Sequence, residues 1–159
     1  SDVCSSDLEN IERTQTLNIR AHRKDATLLD KESVEKADIV LADVPCSGLG
    51  VIGKKTDIKY RTDEDKIQEL AVLQKQILHN AASYVKPGGI LIYSTCTITS
   101  EENQSNVAWF TENYPFVLES LDPYLCEELH SETTAQGWLQ LLPGVHKTDG
   151  FFLARMRKK

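Results

Sequence analysis

Two cysteines stand where a sheet protein does chemistry. Cys96 closes the run Gly88-Gly89-Ile90-Leu91-Ile92-Tyr93-Ser94-Thr95-Cys96-Thr97, in which a glycine pair leads into bulky, β-branched or aromatic residues and then small polar ones. This predicts a buried strand of a parallel sheet, and ligands bind at the carboxyl ends of such strands. Cys46 has a matching position. Asp38-Ile39-Val40-Leu41-Ala42-Asp43 reads as a second buried strand bounded by acids, and it runs into Val44-Pro45-Cys46-Ser47-Gly48-Leu49-Gly50. Pro45 fixes φ and removes a donor, while Gly48 and Gly50 allow conformations closed to other residues, so this loop is shaped and holds Asp43 near Cys46. Two thiols at neighbouring strand ends can face one crevice, one attacking as a thiolate while the other handles proton removal or release. The plain alternative is two small buried hydrophobes, the usual state of a free cysteine.

The elements that must position these thiols follow from the apolar periods. Ser1 to Leu8 has no period and no cap, and is read as a non-native or disordered leader, with residues 9–159 as the folded part. Glu9 to Thr16 fits the tail of a helix, and Leu17 to Ala21 alternates like a strand, with Asp25 just beyond it. Thr62-x-x-Asp65 resembles a capping box for a helix whose apolar face carries Ile67, Leu70, Ala71, Ile77, Leu78, Ala81, Ala82 and Val85, and which Pro87 and Gly88 end. After the Cys96 strand, Thr99-x-x-Glu102 predicts the cap of a helix stopping at Pro115. Phe116 to Leu121 reads as a strand and Asp122 to Gly137 as irregular. Trp138 to Leu142 and Phe151 to Met156 read as a closing antiparallel pair. The alternation of strand and helix implies an α/β fold.

Composition narrows the class. The chain has 159 residues, 40% hydrophobic and 26% charged, enough for one domain with a core. No apolar run is long enough to span a bilayer, and no signal peptide is visible. Cys4, Cys46, Cys96 and Cys126 form no C-x-x-C pair, and His22, His79, His130 and His146 have no metal spacing, so reduced thiols in a cytoplasmic protein without a metal are expected. The formal charge of -6 argues against nucleic acid, but Lys54, Lys55, Lys59 and Arg61 stand against Asp57 alone, and Arg155, Arg157, Lys158 and Lys159 close the chain. Trp109 and Trp138 have the residue type to stack on bases, yet core packing is the plainer role.

The motifs go further. Asp43-Val44-Pro45-Cys46-Ser47-Gly48 resembles the D-x-P-C-S-G motif of the RNA cytosine-C5 methyltransferases, and Ser94-Thr95-Cys96-Thr97 resembles their T-C-[ST] motif, in the family's order. Gly53 to Tyr60 is similar to the family's basic segment, Glu101-Glu102-Asn103 to its helix start, and Asp149-Gly150-Phe151-Phe152 to its terminal hairpin. The resemblance implies a Rossmann-like class I methyltransferase sheet with a C-terminal antiparallel hairpin, S-adenosyl-L-methionine as cofactor, and ribosomal RNA as substrate. Cytosine C5 is too weak a nucleophile to take a methyl group unaided. By the family pattern Cys96 adds to C6 and Cys46 assists loss of the C5 proton and release of product. Asp25 matches the family's acid near the adenine, and Asp43 one near the methionine end and the target base. As a plain alternative, both acids are turn residues. The target base must be exposed before reaction, which favours a loop or unfolded segment of RNA.

Some of the family pattern is missing. The glycine-rich cofactor loop and the acid that grips the ribose are not found, nor is an N-terminal RNA-binding region, and Thr56 stands where proline is common. The expectation is therefore an N-terminally truncated sheet in which Leu17 to Ala21 stands apart or pairs differently, and a chain that binds the cofactor weakly alone. Two other readings remain beside this one. A DNA cytosine-C5 methyltransferase shares the chemistry but attacks with the proline-cysteine thiol and has no need of the second one. A non-catalytic RNA-binding or assembly module would keep the fold without turnover.

Overall fold

The computed structural model describes residues 3–53 and 63–159, with residues 3–7 described by backbone alone. The basic segment Lys54, Lys55, Lys59 and Arg61 and the expected cap Thr62 lie outside the described residues. The first helix, α1, spans Val3–Thr14. Residues 3–8, which carry no apolar period, thus form its first turns. That period reports burial, and α1 buries little: of residues 8–14 only Ile11 is partly covered. Leu17 to Ala21 forms no strand, with Leu17 99% and Ile19 53% exposed. An alternating pattern needs a partner strand to become a ladder, and this segment has none among the described residues.

The remaining elements are β1 (Ala37–Asp43), α2 (Glu64–Tyr84), β2 (Val85–Thr95), α3 (Gln104–Asn113), β3 (Phe116–Leu118), α4 (Glu132–Gln136), β4 (Trp138–Leu141) and β5 (Phe151–Lys158). The fold is mixed α/β, as expected, but mostly antiparallel. Among the described residues only β1 and β2 run parallel, joined by α2. β5 lies antiparallel beside β2, with Leu91 opposite Met156 and Tyr93 opposite Ala154. The far edge of β5 takes β3 at one end and β4 at the other. The closing pair is therefore β4 and β5, with β5 built into the middle of the sheet.

Local chemistry moves several boundaries. Asp63 caps α2: its side chain accepts from the Lys66 backbone N–H, and Glu64 and Asp65 fill the positive first turn. The helix ends at Tyr84, before Pro87, because Val85 already pairs with Ala37. The register then jumps to Ile39 opposite Ile90, so Lys86-Pro87-Gly88-Gly89 bulges from β2, pinned by an ion pair from Lys86 to Asp38 at 2.7 Å. Thr99 does not cap a helix, since α3 begins only at Gln104. Within the stretch expected to be irregular, α4 forms under a capping box in which Ser131 and Thr134 exchange bonds.

One sheet face carries the core. Ala42, Leu91, Tyr93, Phe152, Ala154 and Met156 point towards Leu78, Ala81 and Ala82 of α2 and Val107 and Phe110 of α3, and Phe116 packs on Phe110 at 5.0 Å between ring centroids. Trp109 and Trp138 pack against the same cluster. On the other face of β1, Ile39 and Leu41 are 62% and 64% exposed, so this strand is covered on one side, not buried on both. Farther along that face Arg155 and Arg157 both pair with Glu119, and Tyr124 lies under the Arg155 guanidinium at 4.5 Å. The two positive side chains hold the Glu119 carboxyl below the usual range.

Candidate active site

The parallel register places Asp43 opposite Ser94, so the loops that leave β1 and β2 emerge side by side. The Val44 N–H donates to the Ser94 carbonyl at 3.2 Å, continuing the ladder one step past the strands. Two residues later Cys46 Sγ lies 3.0 Å from Cys96 Sγ. The Cys96 backbone N–H also points at Cys46 Sγ, at 3.2 Å. Both thiols are half-buried and unbridged.

Turn geometry maintains this approach. Gly48 takes a left-handed φ of 73°, which turns the chain into a short 3-10 segment, Leu49–Val51. The Gly50 N–H then donates to the Cys96 carbonyl at 3.1 Å, and the Gly50 carbonyl accepts from the Gly150 N–H at 2.7 Å. A side chain cannot fit in that crossing: a Cβ on Gly50 would lie 2.3 Å from the Gly150 oxygen and 2.8 Å from the Cys96 oxygen. Ser47 and Thr97 hydroxyls meet at 2.7 Å, closing a second bond between the two loops.

Two thiols in contact cannot both ionise, and the hydrogen bond between them decides which does. Donation from Cys46 draws the Cys96 thiol down to about 7. The same bond, with burial added, pushes Cys46 up. One thiol is therefore poised as a nucleophile while its neighbour keeps a proton. The nearby Asp43 carboxylate, which accepts from Ser94 Oγ at 2.8 Å, works against the thiolate as a like charge, so the drop at Cys96 is the work of Cys46. Iodoacetamide will alkylate Cys96 with a pH midpoint near 7, the reaction accelerating as pH rises through that value. In Cys46→Ala the donor is lost, and the midpoint will move up towards the ordinary thiol value of about 8.5. An unchanged midpoint would show that the sulfur contact does not tune Cys96.

Of the four residues singled out in the sequence, three gather here: Cys46, Cys96 and Asp43. Asp25 does not join them. Its Oδ1 accepts from both the backbone N–H and the hydroxyl of Thr27, at 2.9 and 2.7 Å, and these bonds hold its carboxyl below the usual range. It lines a separate cleft with His22, Lys24, Leu28, Ile39 and Tyr84, alongside the first residues of β1. Among the described residues no cluster of three or more His, Cys, Asp or Glu side chains is arranged for a metal ion, and no helix is long and apolar enough to cross a membrane.

A buried polar network under the thiol loops escapes the sequence patterns. Gln74, Tyr93, Glu102, Asn103 and Asn106 are fully buried and bonded to one another or to the loops. One signal of it is visible: Gln74 is a polar residue in the apolar stripe of α2, between Ala71 and Leu78. Glu102 has the spacing of a cap residue, and its bond from the Thr99 hydroxyl does form, at 2.8 Å, but it serves a loop.

Residues 4–157 match the family described as 16S rRNA methyltransferase RsmB/F, and the chain belongs to that family. The motifs lead to the expectation of ribosomal RNA small subunit methyltransferase B within this family, whereas a curated relative that the chain matches is methyltransferase F. Among curated relatives the chain is 35% identical over 150 residues to ribosomal RNA small subunit methyltransferase F of Escherichia coli O139:H28, covering 94% of this chain and 31% of that protein. The chain thus spans about a third of the length of this relative. The crystal structure of PH0851 superposes with a TM-score of 0.85 at 36% identity, over 98% of this chain and 34% of the other. NSun6 from Pyrococcus horikoshii, solved with SFG, gives 0.75 at 28% identity, over 95% and 37%.

Proposed function

We propose that this chain carries the reacting thiols of an S-adenosyl-L-methionine-dependent enzyme that methylates cytosine C5 in ribosomal RNA of the small subunit, in the cytoplasm. The observation that carries the reading is the 3.0 Å contact between Cys46 and Cys96, with the proton assigned to Cys46.

The reaction asks for two different services at one ring. The Cys96 thiolate adds to C6, and the electron pair displaced from the C5–C6 double bond makes C5 nucleophilic. S-adenosyl-L-methionine supplies the methyl group, leaving as S-adenosylhomocysteine. The C5 proton must then depart while the Cys96–C6 bond breaks and the double bond returns. Cys46 sits beside Cys96 to assist that elimination: bonding of Cys96 to C6 removes the thiolate that held the Cys46 proton, so Cys46 can give that proton to water and then accept the one from C5. Asp43, at the carboxyl end of β1 and 2.8 Å from Ser94 Oγ, would pair with the N3 edge of cytosine as that nitrogen gains a proton. Its exposed carboxylate also fits the positive sulfonium end of the cofactor. Asp25 would serve the adenine end through the cleft beside β1.

Transfer of a labelled methyl group from S-adenosyl-L-methionine to small-subunit ribosomal RNA by the complete gene product tests this reading. The expected result is 5-methylcytosine in RNA. Methylation of DNA alone would support the rival chemistry, and RNA binding without methyl transfer would support a non-catalytic module.

A further inference from the structure

We infer that the buried Glu102 is a positioning residue for Cys46, and that its neighbour Asn103 separately positions Cys96. The inference rests on the roles just proposed for the two thiols.

The bonds to the residues flanking each cysteine divide between the two side chains, although Glu102 Oε2 also accepts from the Thr99 hydroxyl, three residues past Cys96, at 2.8 Å. Glu102 Oε1 accepts from the Ser47 backbone N–H at 2.9 Å and from Gln74 Nε2 at 2.9 Å. Gln74 Nε2 also donates to the Pro45 carbonyl at 3.0 Å. The residues on either side of Cys46 are therefore both tied to this one carboxylate, directly or through Gln74. Asn103 does the same for the other loop. Its Oδ1 accepts from the Thr95 hydroxyl at 2.6 Å, and its Nδ2 donates to the Thr97 carbonyl at 3.1 Å, gripping Cys96 from both sides.

Each clamp is itself anchored. Tyr93 donates its hydroxyl to the Glu102 carbonyl at 2.5 Å, and Asn106 donates to Gln74 Oε1 at 2.7 Å. Asn103 Nδ2 also bonds Gln140 on β4 at 2.8 Å. Among the described residues Glu102 has no cation partner, and a buried carboxylate of that kind is costly unless several aligned donors sustain it. Here the donors are the Ser47 N–H of the motif loop, the Gln74 amide and the Thr99 hydroxyl, so the polar cost and the loop's shape are coupled through Ser47. Both clamp side chains are fully buried, which separates them from catalytic residues that touch the reacting atoms.

Adduct kinetics in the complete gene product, with ribosomal RNA and S-adenosyl-L-methionine, test the division. At about pH 9.5, above the ordinary thiol pKa of about 8.5, where Cys96 ionises with or without the Cys46 bond, Glu102→Ala should form the covalent RNA adduct at close to the normal rate and release it about 100-fold more slowly, the loss expected from a misplacement of about 1 Å. Asn103→Ala should instead slow adduct formation by a similar factor and accumulate none. Glu102→Gln, whose amide oxygen can still accept from Ser47 and Gln74, should restore most of the release rate. Normal release in Glu102→Ala, or the same kinetic defect in both alanine variants, would overturn the proposal. If Glu102→Ala does not fold, Gln74→Met serves: it cuts the Pro45 tie, and it should accumulate adduct, with normal release again overturning the idea. Cys96→Ala and Cys46→Ala controls separate the two levels, because an adduct in the first or free release in the second overturns the assignment of the thiols, not the clamps.

Discussion

In the complete gene product, Cys96→Ala forms no RNA adduct that survives denaturing electrophoresis and loses methyl transfer on the order of 10⁴-fold, as removal of an attacking nucleophile does. Cys46→Ala does the opposite and retains the adduct. The physical reason lies in the shared proton: Cys96 is the sulfur whose thiolate is populated near neutral pH, and Cys46 is the one that holds the hydrogen. Without Cys46, attack slows at pH 7, because Cys96 returns to the ordinary thiol range, but it still occurs at higher pH. Elimination has lost its assisting group and stalls. Electrophoresis of variant protein with labelled RNA reads both outcomes at once. An adduct that survives Cys96→Ala and vanishes in Cys46→Ala would reverse the roles, the order expected of an enzyme acting on DNA.

Gly50→Ala and Gly150→Ala should each cost about 2 kcal/mol or more of stability and about 100-fold in activity, although neither touches a substrate. The two glycines cross back to back, and a Cβ on Gly150 would sit 2.6 Å from Gly50 Cα and 2.6 Å from the Ile98 methyl group. The obstacles at Gly50 are backbone oxygens, which cannot rotate away. One of them belongs to Cys96, so relief of the clash must shift the nucleophile. Gly53→Ala is the control, since a Cβ there meets nothing within 4 Å, and it should change stability by no more than about 0.5 kcal/mol. Thermal melts and single-turnover rates of the three variants decide the matter. A Gly50→Ala protein with normal melting and normal rate would show that the crossing does not hold the site.

Much of the site is legible in the sequence because its residues are local. Asp43 and Cys46 sit three apart in one loop, and strand ends are marked by a change from bulky to small polar residues, which is enough to place both thiols at strand ends. The sheet is less legible. A strand pattern records which faces are buried but not which neighbour lies alongside, so the alternating run of β5 does not reveal that it sits between β2 on one side and β3 and β4 on the other. Leu17 to Ala21 departs from its pattern for the related reason that a strand without a partner makes no ladder. Glu102 is ambiguous because a carboxylate three residues after a threonine looks the same whether it caps a helix or braces a loop.

By itself the sequence determined the chemistry available to this protein: two thiols, their shaped loops, an acid beside them and the family these motifs define. The family pattern already assigns attack to Cys96, and tertiary structure adds the contact that gives this division a physical basis. The parallel register of β1 and β2 brings residues 46 and 96 to a 3.0 Å contact, and a shared proton then makes one sulfur acidic and the other basic. No single stretch of sequence contains that difference, because it arises only when side chains fifty residues apart compete for one hydrogen.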